Sequence, residues 1–285
     1  MTHQKYHLII DCPDRPGIVA AVSGLISSHH GMILEADHHS DLCAQWFFMR
    51  YEIDAAGMTH HLDRFIKALD VMAGDFSMQY RFDDRTVKKK VLLLASHAPH
   101  CVEDLLFRWH HQYLNADIVG VVANHQTLQA VTEWHGLPFF YVPINSDQKN
   151  QHFQNVARII QETQADLIVL ARYMQILPAD LCRQYQGRII NIHHSFLPSF
   201  IGANPYQQAF DRGVKLIGAS AHYVTEHLDE GPIIEQAVQR ITHRHTLEDY
   251  IRQGQDIERQ TLATAINLHL NNRVIIHGNK TIVFQ

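Results

Sequence analysis

Five short apolar runs constrain the fold more than any other feature of the chain. They are Val91–Ser96, Ile118–Ala123, Phe139–Val142, Leu167–Ala171 and Ile189–His193. Each is short and apolar on both faces, as a strand buried between two layers must be. Between them lie stretches whose apolar residues fall at helical spacing: Val102, Leu105, Leu106 and Trp109, then Leu128 to His135, then Phe153, Val156, Ile159 and Ile160, then Leu181 and Tyr185. Strand and helix in alternation predict an α/β domain built on a doubly wound, mostly parallel sheet. Such sheets bind ligands beyond the carboxyl ends of their strands. The residues that follow each run are therefore the candidates for chemistry.

The residues before Val91 follow another rule. Tyr6–Ile10 reads as a strand, and Asp11–Gly17 as a loop in which Asp14 serves as N-cap and Pro16 sits in the first helical turn. Ile18, Val22, Leu25 and Ile26 share one helix face, and Gly31 ends that helix. Strands follow at Met32–Asp41 and Ala44–Ile53, then a helix carrying Leu62, Phe65, Ile66, Leu69 and Met72 that ends at Gly74, then a strand at Phe76–Phe82. The order is βαββαβ, a ferredoxin-like unit with an antiparallel sheet backed by two helices. A chain of 285 residues suits two domains. The boundaries expected are 1–83 for the first, 84–90 for a linker and 91–285 for the second. The second closes with a helix over Thr246–Leu270 and a hairpin over Arg273–Phe284 that turns at Gly278-Asn279.

The fifth run ends in polar groups, Asn191-Ile-His-His-Ser-Phe-Leu-Pro198. In a strand, residues two apart share a face, so Asn191 and His193 point the same way. An amide donor beside a proton carrier suits a carbonyl whose oxygen is held while a proton moves. Further on, Thr225-Glu-His-Leu-Asp-Glu-Gly231 forms an acidic loop. By residue chemistry alone Asp229 is either a solvated turn carboxylate or the partner of a nearby histidine.

Composition removes several function classes. The net charge is −5, and Lys88-Lys89-Lys90 is the only basic run, too short for a nucleic-acid footprint. The start lacks a signal-like apolar core and no apolar run approaches membrane-spanning length, so the cytoplasm is expected. Cys12, Cys43, Cys101 and Cys182 are scattered and read as free thiols. Histidine is frequent and occurs in five adjacent pairs. Adjacent side chains diverge on a helix or strand, so no metal site is expected and most of these residues are assigned to the surface. The loop after the first apolar run, Ser96-His-Ala-Pro-His-Cys101, has no glycine. A dinucleotide or phosphorylated co-substrate is therefore not favoured there.

Two resemblances sharpen this reading. Through Asp11-Cys-Pro-Asp-Arg-Pro-Gly17-Ile18 and its element order, the N-terminal unit resembles an ACT domain. That resemblance implies side-by-side pairing into a homo-oligomer and an amino-acid effector, with glycine and methionine as candidates. The loop residues Asp14, Arg15 and Gly17 are the implied contacts, and a purely assembling role is the alternative.

The second domain resembles the formyltransferase family that handles 10-formyltetrahydrofolate. The match rests on Asn191–Pro198, Gly202-Ala-Asn-Pro-Tyr206, Gly213–Gly218, Ala221-His-Tyr-Val224, Leu228-Asp-Glu-Gly-Pro-Ile-Ile234 and Ala171-Arg-Tyr-Met-Gln-Ile-Leu177. The ACT unit, with His194 and not proline after His193, is similar to the deformylase branch, which hydrolyses its folate. The resemblance implies Asn191, His193 and Asp229 as the catalytic set. It places the folate near Met174, Gln175, Ile176, Leu177 and Gly231. It implies water as acceptor, formate and tetrahydrofolate as products, a role in one-carbon balance and purine synthesis, and no cofactor, since folate is the substrate. Formyl transfer to an amine, and an amino-acid sensor with a vestigial catalytic half, are the competing readings. Gln207 stands where many deformylases carry histidine. His194 is read as a family marker that points away from His193.

Overall fold

The computed structural model describes residues 4–58, 61–145, 149–198 and 205–285. Gly202, Ala203 and Asn204 of the quoted motif lie outside the described residues. Two compact units emerge. The first comprises residues 1–88, 272–275 and 282–285, and the second comprises residues 89–271 and 276–281.

The first unit runs β1 (Lys5–Pro13), α1 (Ile18–Ser28), β2 (Met32–Asp41), β3 (Trp46–Asp54), α2 (Leu62–Phe76) and β4 (Gln79–Asp84). The sheet order is β2-β3-β1-β4, antiparallel throughout. Alternation along β1 and β3 sends Leu8, Ile10, Cys12, Met49, Tyr51 and Ile53 into one core with Val22, Ile26, Phe65 and Leu69 of the helices. Two local expectations are corrected. Gly17, at φ 95°, holds the cap position of α1, and Asp14 instead donates its backbone N–H to the Gln45 carbonyl. Helix α2 continues through Gly74 and is closed by Ser77 in the left-handed region, so the last strand starts at Gln79.

The outer face of β1 and β3 is also buried, which corrects the expected domain limits. Ile9 and Phe48 pack with Ile275 and Phe284, so part of the terminal hairpin belongs to the first unit. His7 and Arg50 lie on the same face, and Arg50 donates to His7 Nε2 at 2.9 Å while pairing with Glu35 at 2.6 Å. Asn272 and Arg273 reach His7 and Glu35 respectively. A buried guanidinium needs such partners, and a covering segment that grips two of them, His7 and Glu35, is held by more than its apolar side chains.

The second unit continues with β5 (Lys89–Ala95), α3 (His100–His110), β6 (Ala116–Ala123), α4 (Gln129–Trp134), β7 (Phe139–Tyr141), α5 (Lys149–Thr163), β8 (Leu167–Leu170), α6 (Ala179–Gln184) and β9 (Ile189–His193). Then come α7 (Pro205–Asp211), β10 (Leu216–Tyr223), β11 (Ile233–Arg240), α8 (Leu247–Leu270), β12 (Val274–His277) and β13 (Lys280–Val283). The seven-stranded sheet has the order β11-β10-β9-β8-β5-β6-β7. The five strands from β7 to β9 are parallel, and β10 and β11 extend the sheet antiparallel. From β5 the chain winds one way to β6 and β7 and the other way to β8 and β9. The cleft beyond the ends of β5, β8 and β9 is thus the topological switch point. Helix α8 opens on a reciprocal capping box between Thr246 and Asp249. No helix among the described residues is long and apolar enough to cross a membrane.

Candidate active site

Strand β9 ends in the cleft with Asn191 and His193 on one face. Antiparallel pairing sets Asn191 opposite His222 and His193 opposite Ser220 on β10. The Asn191 amide nitrogen lies 3.2 Å from His222 Nε2, and His222 Nδ1 donates to the Tyr223 carbonyl at 2.9 Å. His222 is buried, and its role was not assigned from sequence. The available signal was the alternation of Ser220 and His222 on an otherwise small, apolar strand facing the Asn191–His193 row.

Asp229 enters from the loop between β10 and β11. Its Oδ2 lies 3.2 Å from His193 Nδ1, and its Oδ1 lies 3.6 Å from His222 Nε2. Burial alone would raise this carboxyl, but the facing rings of His193 and His222 outweigh it and hold it well below the ordinary carboxylate range. Asp229 is therefore an acceptor, so His193 Nδ1 carries the proton that faces it. That fixes the tautomer and leaves Nε2 with its lone pair. Nε2 is buried and makes no hydrogen bond. Asp229 adopts the left-handed region at φ 57°, a conformation aspartate tolerates better than most residues. The structure thus brings Asn191, His193 and Asp229, the three residues expected to act together, to one end of β9.

The supports are polar and buried. Ser220 Oγ accepts from the Leu197 backbone N–H and from Gln236, and donates to the Ser195 carbonyl. This knot fastens the segment after His193 to β10. The acidic loop is pinched at its neck, where Tyr223 N–H donates to the Pro232 carbonyl. A Cβ on Gly231 would lie 1.8 Å from the Tyr223 carbonyl oxygen. Only glycine fits there. Gly231→Ala must open the neck and displace Asp229, and a shift of about 1 Å in such a group costs roughly 10²-fold in rate. Steady-state turnover and a melting curve of that variant check this, and near-normal turnover would refute the packing argument.

The expected folate contacts divide. Met174 and Ile176 stand exposed at the end of β8, Gln175 lies between them, and the Met174 backbone N–H donates to Ser96 Oγ after β5. Leu177 is buried in the core cluster. In the first unit, Arg15 donates to the Asp75 carbonyl and lies 4.1 Å over the Phe76 ring, so it also fastens the loop to α2.

His194 departs from expectation. The strand has ended, and its ring does not diverge but stacks beside His193, with centroids 5.1 Å apart. Burial, and then the Arg172 charge, push its pKa down to about 4. Behind it lies a buried cluster that sequence reasoning missed: Glu258 of α8 accepts from His100 Nε2 at 2.8 Å and from the Tyr206 hydroxyl, and it forms an ion pair with Arg172, whose Nε lies 3.3 Å away without a hydrogen bond. Arg172 also has left-handed backbone, φ 62°, which costs about 1–3 kcal/mol unless the surroundings hold it. Ligand atoms of His100, Cys101 and Glu258 lie within 4.8 Å of one another, the spacing a metal would need. The chemistry does not suit a cation. Burial and Glu258 push the Cys101 thiol well up, and Glu258 is already neutralised by Arg172.

These histidines set the response to acid. His7 is pushed to about 4 by burial and then by Arg50, and His125, His135 and His152 are lowered with burial as the leading cause. Between the unfolded value near 6.5 and the folded value near 4, the unfolded chain binds more protons, so stability falls as pH drops through that window. The melting midpoint is expected to fall between pH 7 and pH 5. A level or rising midpoint contradicts it.

Known proteins resemble this chain over most of its length. A family model described as Formyl transferase matches residues 89–266, starting where the second unit starts. A formyltetrahydrofolate deformylase of Bacillus subtilis is 43% identical across 99% of this chain and 94% of its own length. The crystal structure of a formyltetrahydrofolate deformylase from Pseudomonas syringae pv. tomato superposes with a TM-score of 0.97 at 52% identity, covering 100% of this chain and 96% of that one. A glycinamide ribonucleotide transformylase from Symbiobacterium toebii covers 72% of this chain and 97% of its own, with a TM-score of 0.65 at 25% identity.

Proposed function

The chain belongs to the formyltetrahydrofolate deformylase family, and on that premise we propose how Asn191, His193 and Asp229 carry out the reaction. The reaction is hydrolysis of 10-formyltetrahydrofolate to formate and tetrahydrofolate, a step in one-carbon folate balance. The observation that carries the assignment is the His193 Nδ1–Asp229 contact with the Asn191 amide on the same strand face.

Water attacks the formyl carbon while His193 Nε2 takes its proton. Asp229 accepts from Nδ1–H throughout and stabilises the imidazolium that forms. The carbonyl oxygen becomes an oxyanion. One Asn191 N–H is directed at His222 Nε2, which orients the amide, and the second N–H serves the oxyanion. As the adduct collapses, the bond from carbon to N10 breaks, and N10 takes the proton from His193. His222 acts as a positioning residue. Met174 and Ile176 supply apolar surface for the folate, and backbone groups near Leu177 and Gly231 its polar contacts. No metal or organic cofactor takes part, and the cytoplasm suits the substrate. The enzyme given 10-formyltetrahydrofolate alone should release formate and tetrahydrofolate in equal amounts. A requirement for an added amine would favour formyl transfer instead.

The first unit serves regulation and assembly in this reading. Its loop at Asp14, Arg15 and Gly17 takes an amino acid, glycine or methionine, and its exposed edge strand β2, with Met32 and Leu34 at the surface, pairs with a second copy. One of the two amino acids is expected to change the turnover rate of the full chain, and Arg15→Ala to weaken that effect. Rates that ignore both ligands would leave the unit as an assembly device.

A further inference from the structure

Glu258 is fully buried, and its partners come from the start of α3, the turn after β8 and α7. The surroundings are shaped for it. One turn earlier on α8, Gly254 faces Tyr206, and a Cβ there would lie 2.3 Å from the Tyr206 ring. Glu258 thus anchors Arg172, yet it does not satisfy it. Arg172 Nε and NH1 are buried and make no hydrogen bond, and neither does the buried His100 Nδ1.

Arg172 follows β8, the neighbour of β9 in the sheet, about 4.8 Å away. The cluster around Glu258 meets the row that carries Asn191 and His193 through His194, whose ring centroid lies 5.1 Å from that of His193 and 6.1 Å from that of Tyr206. The charge of Arg172 reaches His194, next to that row, where after burial it is the second cause of the lowered pKa. A buried guanidinium with unused N–H groups favours a small planar anion with two oxygens. Hydrolysis at His193 generates one such anion at that place.

We propose that Arg172, anchored by Glu258 with His100 beside it, forms a carboxylate subsite that receives formate as the bond to N10 breaks. The proposal rests on hydrolysis at Asn191 and His193 and adds where the product goes. It also gives the ion pair a purpose: Glu258 holds the side chain in place, and Arg172 keeps donors free for an incoming carboxylate.

The test uses the full chain and sodium formate at fixed ionic strength, with binding followed by ¹³C resonance of labelled formate and by product inhibition of turnover. Arg172→Gln is expected to weaken formate binding at least tenfold and to raise the inhibition constant in parallel, with tetrahydrofolate affinity within about twofold of wild type. Arg172→Lys keeps the charge and loses the planar edge, and an intermediate loss is expected; it also serves if the glutamine variant does not fold. Unchanged formate binding in either folded variant overturns the subsite. Formate release by the wild type, measured in the same preparation, separates the two layers. Release without Arg172-dependent binding overturns only the subsite, and absence of release overturns the hydrolytic reading beneath it.

Discussion

Asp229→Asn is expected to lower kcat by roughly 10³–10⁴-fold, the scale seen when a charged acceptor behind a catalytic histidine is made neutral. Three effects add. Asparagine carries no charge to stabilise the imidazolium. Its NH2 group offers His193 Nδ1 a donor where a carboxylate accepts, which favours the tautomer with its proton on Nε2. A proton there removes the lone pair that draws the proton from water. Asp229 also faces His222, so the change loosens the residue that orients Asn191. The folate KM should move little, because the carboxylate is turned toward His193 and His222. Turnover under single-turnover conditions, with circular dichroism to show an intact fold, decides it. A loss below tenfold would remove Asp229 from the mechanism.

Asn191→Ala is expected to lower kcat by about 10²–10³-fold, or about 2.7–4 kcal/mol, the usual effect of removing one oxyanion donor. The interaction strengthens only as charge develops on the formyl oxygen, so kcat and kcat/KM should fall together. The variant also leaves His222 Nε2 without its Asn191 partner. His222→Asn should therefore show a smaller fall, because it disturbs the aim of the amide and not the amide itself. If Asn191→Ala raised KM and spared kcat, Asn191 would be a binding group and the oxyanion would need another donor.

How much of this the sequence revealed follows from distance along the chain. The parallel strands were legible because Val91–Ala95 and Leu167–Leu170 are buried on both faces and read as unbroken apolar runs. Asn191 and His193 were legible because a period of two holds within one strand. Asp229 came within reach of His193 only through the loop between β10 and β11, and the residue chemistry alone left it as a turn carboxylate or a partner. His222 needed the register between β9 and β10. Glu258 is farther still: its partners Arg172, His100 and Tyr206 lie 86, 158 and 52 residues away in sequence, and no local pattern encodes such a meeting. The cover over Ile9 and Phe48 failed for the same reason, since Ile275 and Phe284 close a face that the first 88 residues leave open. His194 misled because strand alternation was extended one residue past the strand's end at His193.

The most direct test of the account is a turnover in water enriched in ¹⁸O with 10-formyltetrahydrofolate as the only added substrate. If His193 activates water, each formate keeps the formyl oxygen and gains one oxygen from solvent, so the released formate carries a single ¹⁸O. Formate without the heavy oxygen, or no turnover until an amine is supplied, would contradict it.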